Sequence, residues 1–394
     1  MARAEQWLLP DGVEEILPEK AAKIERLRRE LLDLYSSWGY ELVFPPMLEY
    51  MESLHTGVGS DLALQTFSIT DQFSGRQMGL RADITPQVAR IDAHGLNRDV
   101  PVRLCYAGTV LHAKPAALGE SRSLIQIGAE LYGHGGLESD IEIIRLMIDT
   151  LHQSSVQQLH LDLGHVGIYR SLVKLAELSE EQEQDLFDIY QRKAAAELEV
   201  FLEENISDLG LRDKLIGLES LSGGPEVLDK AYQLLGSIVD VNLAISDLSV
   251  IVAKLQSDYP DLELYIDCSE LRGYHYHTGV VFAAYTPGVG RAIAKGGRYD
   301  HLGEKFGRAR PATGFSADLK DLIAIAEEVE VALDGIYIPP SDEGSCELEA
   351  RKLRQQGHRV VMGLPGQEGG ALEMNCAKEL VFEDGVWTIE SVDQ

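Results

Sequence analysis

The first strong pattern along the chain is a helical stripe between residues 18 and 38. Apolar residues recur there every three or four positions among charged ones, which is the spacing of one face of an α-helix. Pro18 suits the first turn of a helix, where no backbone N–H is needed. The pattern therefore predicts one long amphipathic helix. In the next segment, 41–50, Pro45 and Pro46 cannot donate ladder hydrogen bonds, so it predicts an extended sheet edge or a dimer contact.

Strand patterns dominate the next part of the chain. Short alternating runs bounded by turn residues predict strands at 78–83, 101–110, 122–133 and 159–165. Only two helical patterns lie between them, at 85–95 and 139–154. Two crossover helices are too few for a parallel doubly wound sheet. We therefore predict an α+β fold with a mainly antiparallel sheet flanked by helices.

From residue 169 to residue 255 the periodicity is helical, with a break at 222–226. Strand patterns return at 262–269 and continue into a hairpin with its turn at 287–290. After about residue 322 a smaller unit follows, with short strand patterns around one helix. The predicted domains are a discontinuous core of residues 1–168 and 256–322, a helical insertion of residues 169–255 and a small α/β C-terminal domain of residues 323–394.

Composition and charge exclude several partners. The chain carries 64 acidic and 35 basic residues, a formal charge of -29, and it has no basic stripe that could offset the repulsion of a polyanion, so tRNA, DNA and RNA are poor partners. No apolar run approaches the roughly 18 residues of a membrane span. The four scattered cysteines form no CxxC pair, which predicts neither a disulfide framework nor a metal site and favours the reducing cytoplasm.

The strand at 124–131 is the first candidate for a binding surface. Side chains alternate across a strand, so Gln126, Gly128 and Glu130 share one face while isoleucine, alanine and leucine share the other. A strand face with a small residue between two long hydrogen-bonding ones can bind a polar ligand. A solvated face of an antiparallel sheet is the alternative explanation.

A second candidate lies where a strand pattern meets a helical one. Thr85 followed by Pro86 indicates an N-cap and a first helical residue. Asp83 then lies between strand and helix, where its carboxylate could meet an ammonium group. Plain helix capping is the alternative for both Asp83 and Thr85.

The third candidate is a run of polar and aromatic side chains. In six positions the chain has one arginine, two tyrosines and two histidines beside a glycine; they are Arg272, Gly273, Tyr274, His275, Tyr276 and His277. Arginine can hold a carboxylate through two parallel hydrogen bonds, and tyrosine or histidine can hydrogen-bond to or stack on a planar ring. An aromatic core cluster is the alternative.

Together these segments resemble class II histidyl-tRNA synthetases. The motifs are RADITP (81–86), CYAGTVLHAKPAALGESRSLIQIGAELYG (105–133), LRGYHYHTG (271–279), and AKGGRYDHLG (294–303) with TGFSADL (313–319). They occur in the order and spacing of that family, and the resemblance covers residues 5 to about 322. It implies a six-stranded antiparallel sheet with helices and a helical insertion, and a dimer formed through the first helix and the proline-bearing strand.

The resemblance also implies a histidine pocket. Its implied members are Asp83, Thr85, Gln126, Glu130, Arg272, Tyr276 and His277. Asp83 matches the residue that receives the amino-acid ammonium. His275 and His277 depart from the family, which usually has Asp and Tyr at those positions, and this departure affects recognition of the imidazole ring.

The nucleotide half of the resemblance is degenerate. His112 stands at the position of the arginine that contacts the α-phosphate, Lys114 at that of an acidic residue, and Asp321 at that of the arginine that ends the third motif, while Arg122 and Arg298 remain. A group aimed at developing negative charge is worth about 10²- to 10³-fold in rate. We therefore expect a degenerate nucleotide site at His112, Arg122 and Asp321, with no catalytic residue and no cofactor.

A histidine pocket without adenylation resembles the regulatory subunits of short-form ATP phosphoribosyltransferase. Residues 321–394 look like a shortened anticodon-binding domain, but they hold 16 acidic and 5 basic residues, which would repel tRNA. The resemblance implies L-histidine as effector and, as partner, the catalytic subunit in a hetero-octamer. It also implies that the chain is needed for activity and feedback inhibition in the first step of histidine biosynthesis. An adenylating enzyme like histidyl-tRNA synthetase and a scaffold indifferent to histidine stay open as alternatives.

Overall fold

The computed structural model describes residues 7–54, 56, 60–115, 120–326, 335–340, 345–383 and 385–392. The chain divides into two compact units, Met1–Ala326 and Glu327–Gln394. The three-part division drawn from the periodicity remains a prediction.

The larger unit is built on a nine-stranded sheet. Its strands and those of a small second sheet are β1 (Glu41–Leu42), β2 (Leu48–Tyr50), β3 (Phe67–Thr70), β4 (Gln77–Leu80), β5 (Val102–Leu111), β6 (Ser123–Tyr132), β7 (His160–His165), β8 (Ser222–Gly223), β9 (Glu263–Asp267), β10 (Val280–Tyr285), β11 (Ala294–Arg298) and β12 (Ala312–Asp318). The order in the large sheet is β1-β5-β6-β12-β11-β10-β7-β9-β8. The six strands from β5 to β7 in this order pair antiparallel, whereas β1 with β5 and β7 with β9 pair parallel. The predicted antiparallel sheet is confirmed.

Helices pack on both faces of this sheet, and most of them lie on one face. Those of the larger unit are α1 (Pro18–Ser37), α2 (Met51–Leu54), α3 (Ser60–Gln65), α4 (Thr85–Arg90), α5 (Leu137–Gln153), α6 (Val166–Ala176), α7 (Glu180–Gln191), α8 (Ala195–Asn205), α9 (Leu209–Glu219), α10 (Val227–Leu235), α11 (Val239–Asp258), α12 (Leu302–Lys305) and α13 (Leu319–Ile325), with a π-helix at Ile91–Leu96. Pro18 begins α1, as predicted. Leu27, Leu31 and Tyr35 on its apolar stripe are buried in the same core as Ile127 and Leu131 of β6. The opposite face of β6 carries Glu130, which lines the cavity described below, and Tyr132, which packs in a second core.

The helical run predicted at 169–255 corresponds to α6 through α11, and its predicted break coincides with β8 at Ser222–Gly223. Buried leucines of these helices join the core that also contains the sheet. Among the helices that the structure describes, none is long and apolar enough to cross a membrane.

The predicted edge segment 41–50 contributes to two sheets. β1 pairs parallel with the end strand of the antiparallel set, and β2 joins a separate sheet with the order β2-β4-β3. Between them the chain exposes large apolar side chains, including Phe44 at 75% and Met47 at 42%. The edge position is confirmed, and the dimer contact stays a prediction.

The smaller unit contains a four-stranded sheet and one helix. Its elements are β13 (Ile336–Ile338), α14 (Ser345–Gln355), β14 (Val360–Met362), β15 (Lys378–Glu383) and β16 (Val386–Ser391). The strand order is β14-β13-β15-β16, and the last two strands form the predicted antiparallel hairpin. Ile336, Ile338, Ala350, Leu353 and Leu380 form its core.

Candidate functional site

The face of the central sheet that carries Glu130 forms the floor of a cavity of about 300 Å³. A volume near this value lies at the small end of ligand pockets. Six of the seven residues predicted for a histidine pocket line it: Asp83, Thr85, Glu130, Arg272, Tyr276 and His277. The structure thus brings together three segments that are separated by up to 194 positions in the chain. The seventh residue, Gln126, acts on the cavity through Asp83.

Asp83 lies in a fixed hydrogen-bonded position at the cavity wall. Its carboxylate accepts hydrogen bonds from Gln126 Nε2 at 2.7 Å and from the backbone N–H of Thr85 at 3.2 Å. The backbone N–H of Ile84 donates to Gln126 Oε1 at 2.9 Å. Gln126 therefore orients Asp83, and the remaining lone pairs of this carboxylate can accept hydrogen bonds from a ligand cation.

Thr85 is not the N-cap that its sequence position predicted. It is the first residue of α4, the N-cap is Ile84, and no side chain caps the helix there. The Thr85 hydroxyl lies 3.2 Å from the hydroxyl of Tyr106 instead. The Thr85 hydroxyl is thus paired with Tyr106 on β5 and not with the first turn of its own helix. The backbone N–H of Thr85 donates to the Asp83 carboxylate.

Glu130 is the most deeply buried acid at the cavity, with 1% of its surface exposed. Tyr106 donates a hydrogen bond to it at 3.0 Å, and Tyr299 donates to its other oxygen. Burial raises the pKa of Glu130 to about 8, although the bonds from Tyr299 and Tyr106 oppose the shift. At neutral pH this carboxyl therefore holds a proton that it can share with a ligand nitrogen.

Tyr106 and Tyr299 are site residues that the sequence did not reveal. Both lay inside the motifs quoted above, on strands β5 and just after β11. Tyr106 lies opposite Gly128 in the sheet, and a Cβ at Gly128 would approach its hydroxyl to 2.6 Å. The small residue between Gln126 and Glu130 thus makes room for Tyr106 rather than for the ligand itself.

The aromatic run at 272–277 divides between the cavity and the core. Tyr276 stacks on Tyr299 with a ring separation of 5.0 Å, and its buried hydroxyl has no hydrogen-bond partner in the part of the chain that the structure describes. Burial lowers the pKa of His277 to about 4, so its ring is neutral at pH 7. By contrast, Tyr274 is buried against Tyr169 and bonds to Glu183, while His275 is exposed. Neither lines the cavity, so the core explanation holds for Tyr274.

Arg272 lies at the cavity mouth with its guanidinium already engaged. Its Nε donates to Glu270 at 2.8 Å, its NH2 nitrogen lies 3.4 Å from Asp162, and its NH1 nitrogen donates to Tyr285. Burial acts to lower the pKa of Arg272, but the bonds to Glu270 outweigh it and raise that pKa. A ligand carboxylate would have to share this guanidinium with two acids.

The predicted nucleotide residues lie outside the cavity lining. The Nε2 atom of His112 is 3.0 Å from the Ala82 carbonyl. Arg122 Nε donates to the His112 carbonyl at 2.9 Å, and its NH1 nitrogen donates to the Asp11 carbonyl at 3.2 Å. Asp321 pairs with both terminal nitrogens of Arg291, at 2.5 and 2.6 Å. Each of the three is therefore occupied by the chain itself.

Two further basic residues, Lys320 and Arg298, form ion pairs within the chain. Lys320 is buried and donates to Glu14 at 2.8 Å, which fixes the segment before α1 next to Asp321. The sequence did not decide whether Arg298 belongs to the pocket or only stabilises the fold. Arg298 is buried and forms an ion pair with Asp140 at 2.8 Å. It therefore serves the fold.

Substitution of Gly314, which has no side chain, tests the packing around Glu130 directly. A Cβ at Gly314 would overlap the Glu130 carboxyl and lie 2.8 Å from the Ala129 carbonyl. We expect Gly314→Ala to destabilise the chain by about 1–3 kcal/mol, the usual cost of overpacking, as measured by denaturant unfolding. Gly290→Ala is the matched control because nothing lies within 4 Å of its Cβ position. Equal stability of the two variants would contradict the described packing.

Family models match nearly the whole chain. A model described as "Histidyl-tRNA synthetase" matches residues 12–322. A second, described as "ATP phosphoribosyltransferase subunit HisZ C-terminal domain", matches residues 333–390. The junction between the two matches falls where the larger compact unit ends.

Curated relatives align over their full length. Proteins named "ATP phosphoribosyltransferase regulatory subunit" from Pseudomonas entomophila and Thioalkalivibrio sulfidiphilus are 54% and 53% identical over 392 residues, 99% of each chain. A solved structure from Bacillus halodurans, titled as an ATP phosphoribosyltransferase regulatory subunit/histidyl-tRNA synthetase, is 28% identical with a TM-score of 0.81 over 92% of this chain and 94% of its own. Histidyl-tRNA synthetase from Nostoc, 19% identical with a TM-score of 0.79 over 98% and 97% of the two chains, shares the fold.

Proposed function

The chain belongs to the family of ATP phosphoribosyltransferase regulatory subunits, and on that premise we propose that it is the non-catalytic subunit that its catalytic partner needs for activity and for feedback inhibition by histidine. The observation that carries the proposal is the full-length match to relatives of that name. The retained amino-acid cavity supports it, because a regulator must still recognise its effector. The reaction concerned is the first step of histidine biosynthesis.

The cavity suits L-histidine as the effector. Asp83, fixed by Gln126 and the Thr85 N–H, can accept a hydrogen bond from the ammonium group. Glu130 can share its proton with the imidazole ring, since burial raises its pKa to about 8. The hydroxyl of Tyr276, which has no hydrogen-bond partner among the described residues, offers a further hydrogen bond. A buried polar group of this kind gains most when a ligand supplies the missing partner.

The other side of the fold supports a role without adenylation. A triphosphate needs cations, but His112 bonds to the Ala82 carbonyl and Asp321 places a carboxylate where the family resemblance implies an arginine. Arg291 neutralises Asp321 and lies 3.4 Å from Glu120 as well. His112, Arg291 and Asp321 are thus engaged by other groups of the chain.

Assembly is proposed on two grounds. The exposed apolar side chains at 41–50 suit a self-dimer, and the family name implies a catalytic partner, with which we propose a hetero-octamer. We propose no contact with tRNA, because residues 321–394 hold 16 acidic and 5 basic residues. The four cysteines are free and buried, in keeping with a cytoplasmic location.

Feedback requires a difference in affinity. Histidine can inhibit only if it binds the inactive arrangement of the complex more tightly than the active one. The same coupling makes the complex change the affinity of this chain for histidine by an equal factor.

Co-purification with the catalytic subunit, followed by its activity with and without histidine, tests the proposal. We expect the chain to raise the activity of the catalytic subunit and histidine to lower it again, by a factor in the range of about 5–150 that is typical of allosteric coupling. The Asp83→Ala variant should still assemble and activate but should lose the response to histidine. Assembly without any histidine response in the wild-type complex would identify a scaffold and refute the regulatory proposal.

A further inference from the structure

A single row of residues crosses the cavity floor and carries one long cation at its centre. Six directly paired positions, one on each antiparallel strand, form it: Tyr106, Gly128, Ser316, Lys295, Ala283 and Asp162. Directly paired residues share a face of the sheet. Because Tyr106 contacts Glu130 and Asp162 contacts Arg272, the face is that of the cavity, and Lys295 lines it.

The neighbours of Lys295 leave its side chain room to move over the floor. The residues paired with it are small, Ser316 on β12 and Ala283 on β10. Two positions along β11 on the same face is Gly297, which has no side chain. Lys295 is exposed although it lines the cavity, and its charge adds to burial in lowering the pKa of the His277 ring.

Among the described residues, Lys295 differs from Arg272, the other cation of the cavity, in its contacts. Arg272 is held by Glu270, Asp162 and Tyr285. Lys295 makes no hydrogen bond or ion pair within the part of the chain that the structure describes. The cavity therefore contains one cation that is already neutralised and one that is free to meet an anion.

The charges on the lining define what such an anion must be. Four acids line the cavity, Asp83, Glu130, Asp162 and Glu270, against the two cations. Even with Glu130 protonated, the three remaining carboxylates outnumber the two cations, which repels a multiply charged anion but admits a zwitterion whose single carboxylate points at Lys295. Asp83 and Glu130 lie on the β5–β6 side of the row and Lys295 lies two strands beyond β6, so a ligand whose ammonium and ring meet the two acids can turn its remaining group, the carboxylate, towards the lysine.

We propose that Lys295 binds the carboxylate of the amino-acid effector and so makes the cavity select an intact amino acid over its decarboxylated amine. This inference rests on the proposed histidine site and adds a residue to it. Hydrogen bonds to charged groups are the stronger ones in proteins. The role of Lys295 is therefore measurable as a difference between two ligands that share the imidazole and ammonium groups.

Titration calorimetry with L-histidine and with histamine, which lacks the carboxylate, tests the inference. We expect the wild-type chain to bind histidine more tightly than histamine. Lys295→Gln should weaken histidine binding about tenfold or more and leave histamine binding within about twofold. Lys295→Arg should restore most of the preference, because it returns the positive charge. Lys230→Gln on α10, an exposed lysine that does not line the cavity, controls for the change in net charge.

The possible outcomes distinguish the role of Lys295 from the proposed histidine site on which it rests. If the wild-type chain binds neither ligand, the histidine site itself is wrong. If it binds histidine and Lys295→Gln weakens both ligands equally or neither, the site stands and the role of Lys295 is overturned. Circular dichroism of each variant shows whether it is folded, and Lys295→Met, which keeps the length of the side chain but removes its charge, undergoes the same two titrations if the glutamine variant does not fold.

Discussion

The purified chain, incubated with L-histidine, ATP and labelled pyrophosphate, is expected to catalyse no exchange of label into ATP above background. Adenylation requires cations around the triphosphate. The residues at the positions that the resemblance assigns to this role make other contacts. His112 bonds to the Ala82 carbonyl, Arg122 bonds to the carbonyls of His112 and Asp11, and Asp321 is a carboxylate. Two lost groups worth about 10²- to 10³-fold each imply a loss of at least about 10⁴-fold relative to a histidyl-tRNA synthetase.

A histidyl-tRNA synthetase assayed in parallel provides the positive control for the exchange experiment. Histidine binding measured on the same preparation of the chain would show that the protein is folded and that its cavity is intact. Exchange at a rate comparable to the synthetase, abolished by a substitution at Arg272, would reveal a working nucleotide site. That result would favour the adenylating enzyme and remove the non-catalytic proposal.

Patterns within single elements predicted the fold well because they depend on local periodicity. The stripe on α1 follows from spacing alone, and so does the division of β6 into a core face with Ile127 and a cavity face with Glu130. The hairpin of β10 and β11 follows from its turn residues. In each case the decisive contacts are made by a regular face or by a turn.

Contacts between distant strands could not be predicted in this way. Tyr299 bonds to Glu130 across 169 positions of the chain, and the place of Lys295 depends on the register of five strand pairs. Thr85 failed as an N-cap because Tyr106, on another strand, offered its hydroxyl a partner. The sequence motifs thus indicated which segments meet, whereas the register of the sheet decided which side chains face the ligand.

Replacing Glu130 by glutamine is expected to weaken histidine binding about 30-fold or more. Removing one partner of a buried, hydrogen-bonded charge pair costs about 2–5 kcal/mol, and Glu130 is buried with two tyrosine donors. Glutamine preserves the shape but cannot share a proton with the imidazole ring. Asp83→Ala should cause a comparable loss through the ammonium group. Titration calorimetry at pH 7 measures both, and the unaltered thermal unfolding of Glu130→Gln would confirm that the site alone has changed.

The pH dependence of binding distinguishes a shared proton from simple packing. Burial raises the pKa of Glu130 to about 8 in the free chain, whereas a free imidazole titrates near about 6.5. Between about pH 6.5 and about pH 8 the Glu130 carboxyl is protonated and the free imidazole is neutral. The hydrogen-bonded pair of carboxyl and imidazole holds one proton, so histidine binds without net proton exchange with the solvent. Below about 6.5 a proton must leave, and above about 8 one must be taken up, so affinity falls on both sides by up to about tenfold per pH unit. In Glu130→Gln the decline above pH 8 should disappear. A wild-type affinity that stays constant from pH 5 to 9 would show that Glu130 does not exchange its proton with the ligand.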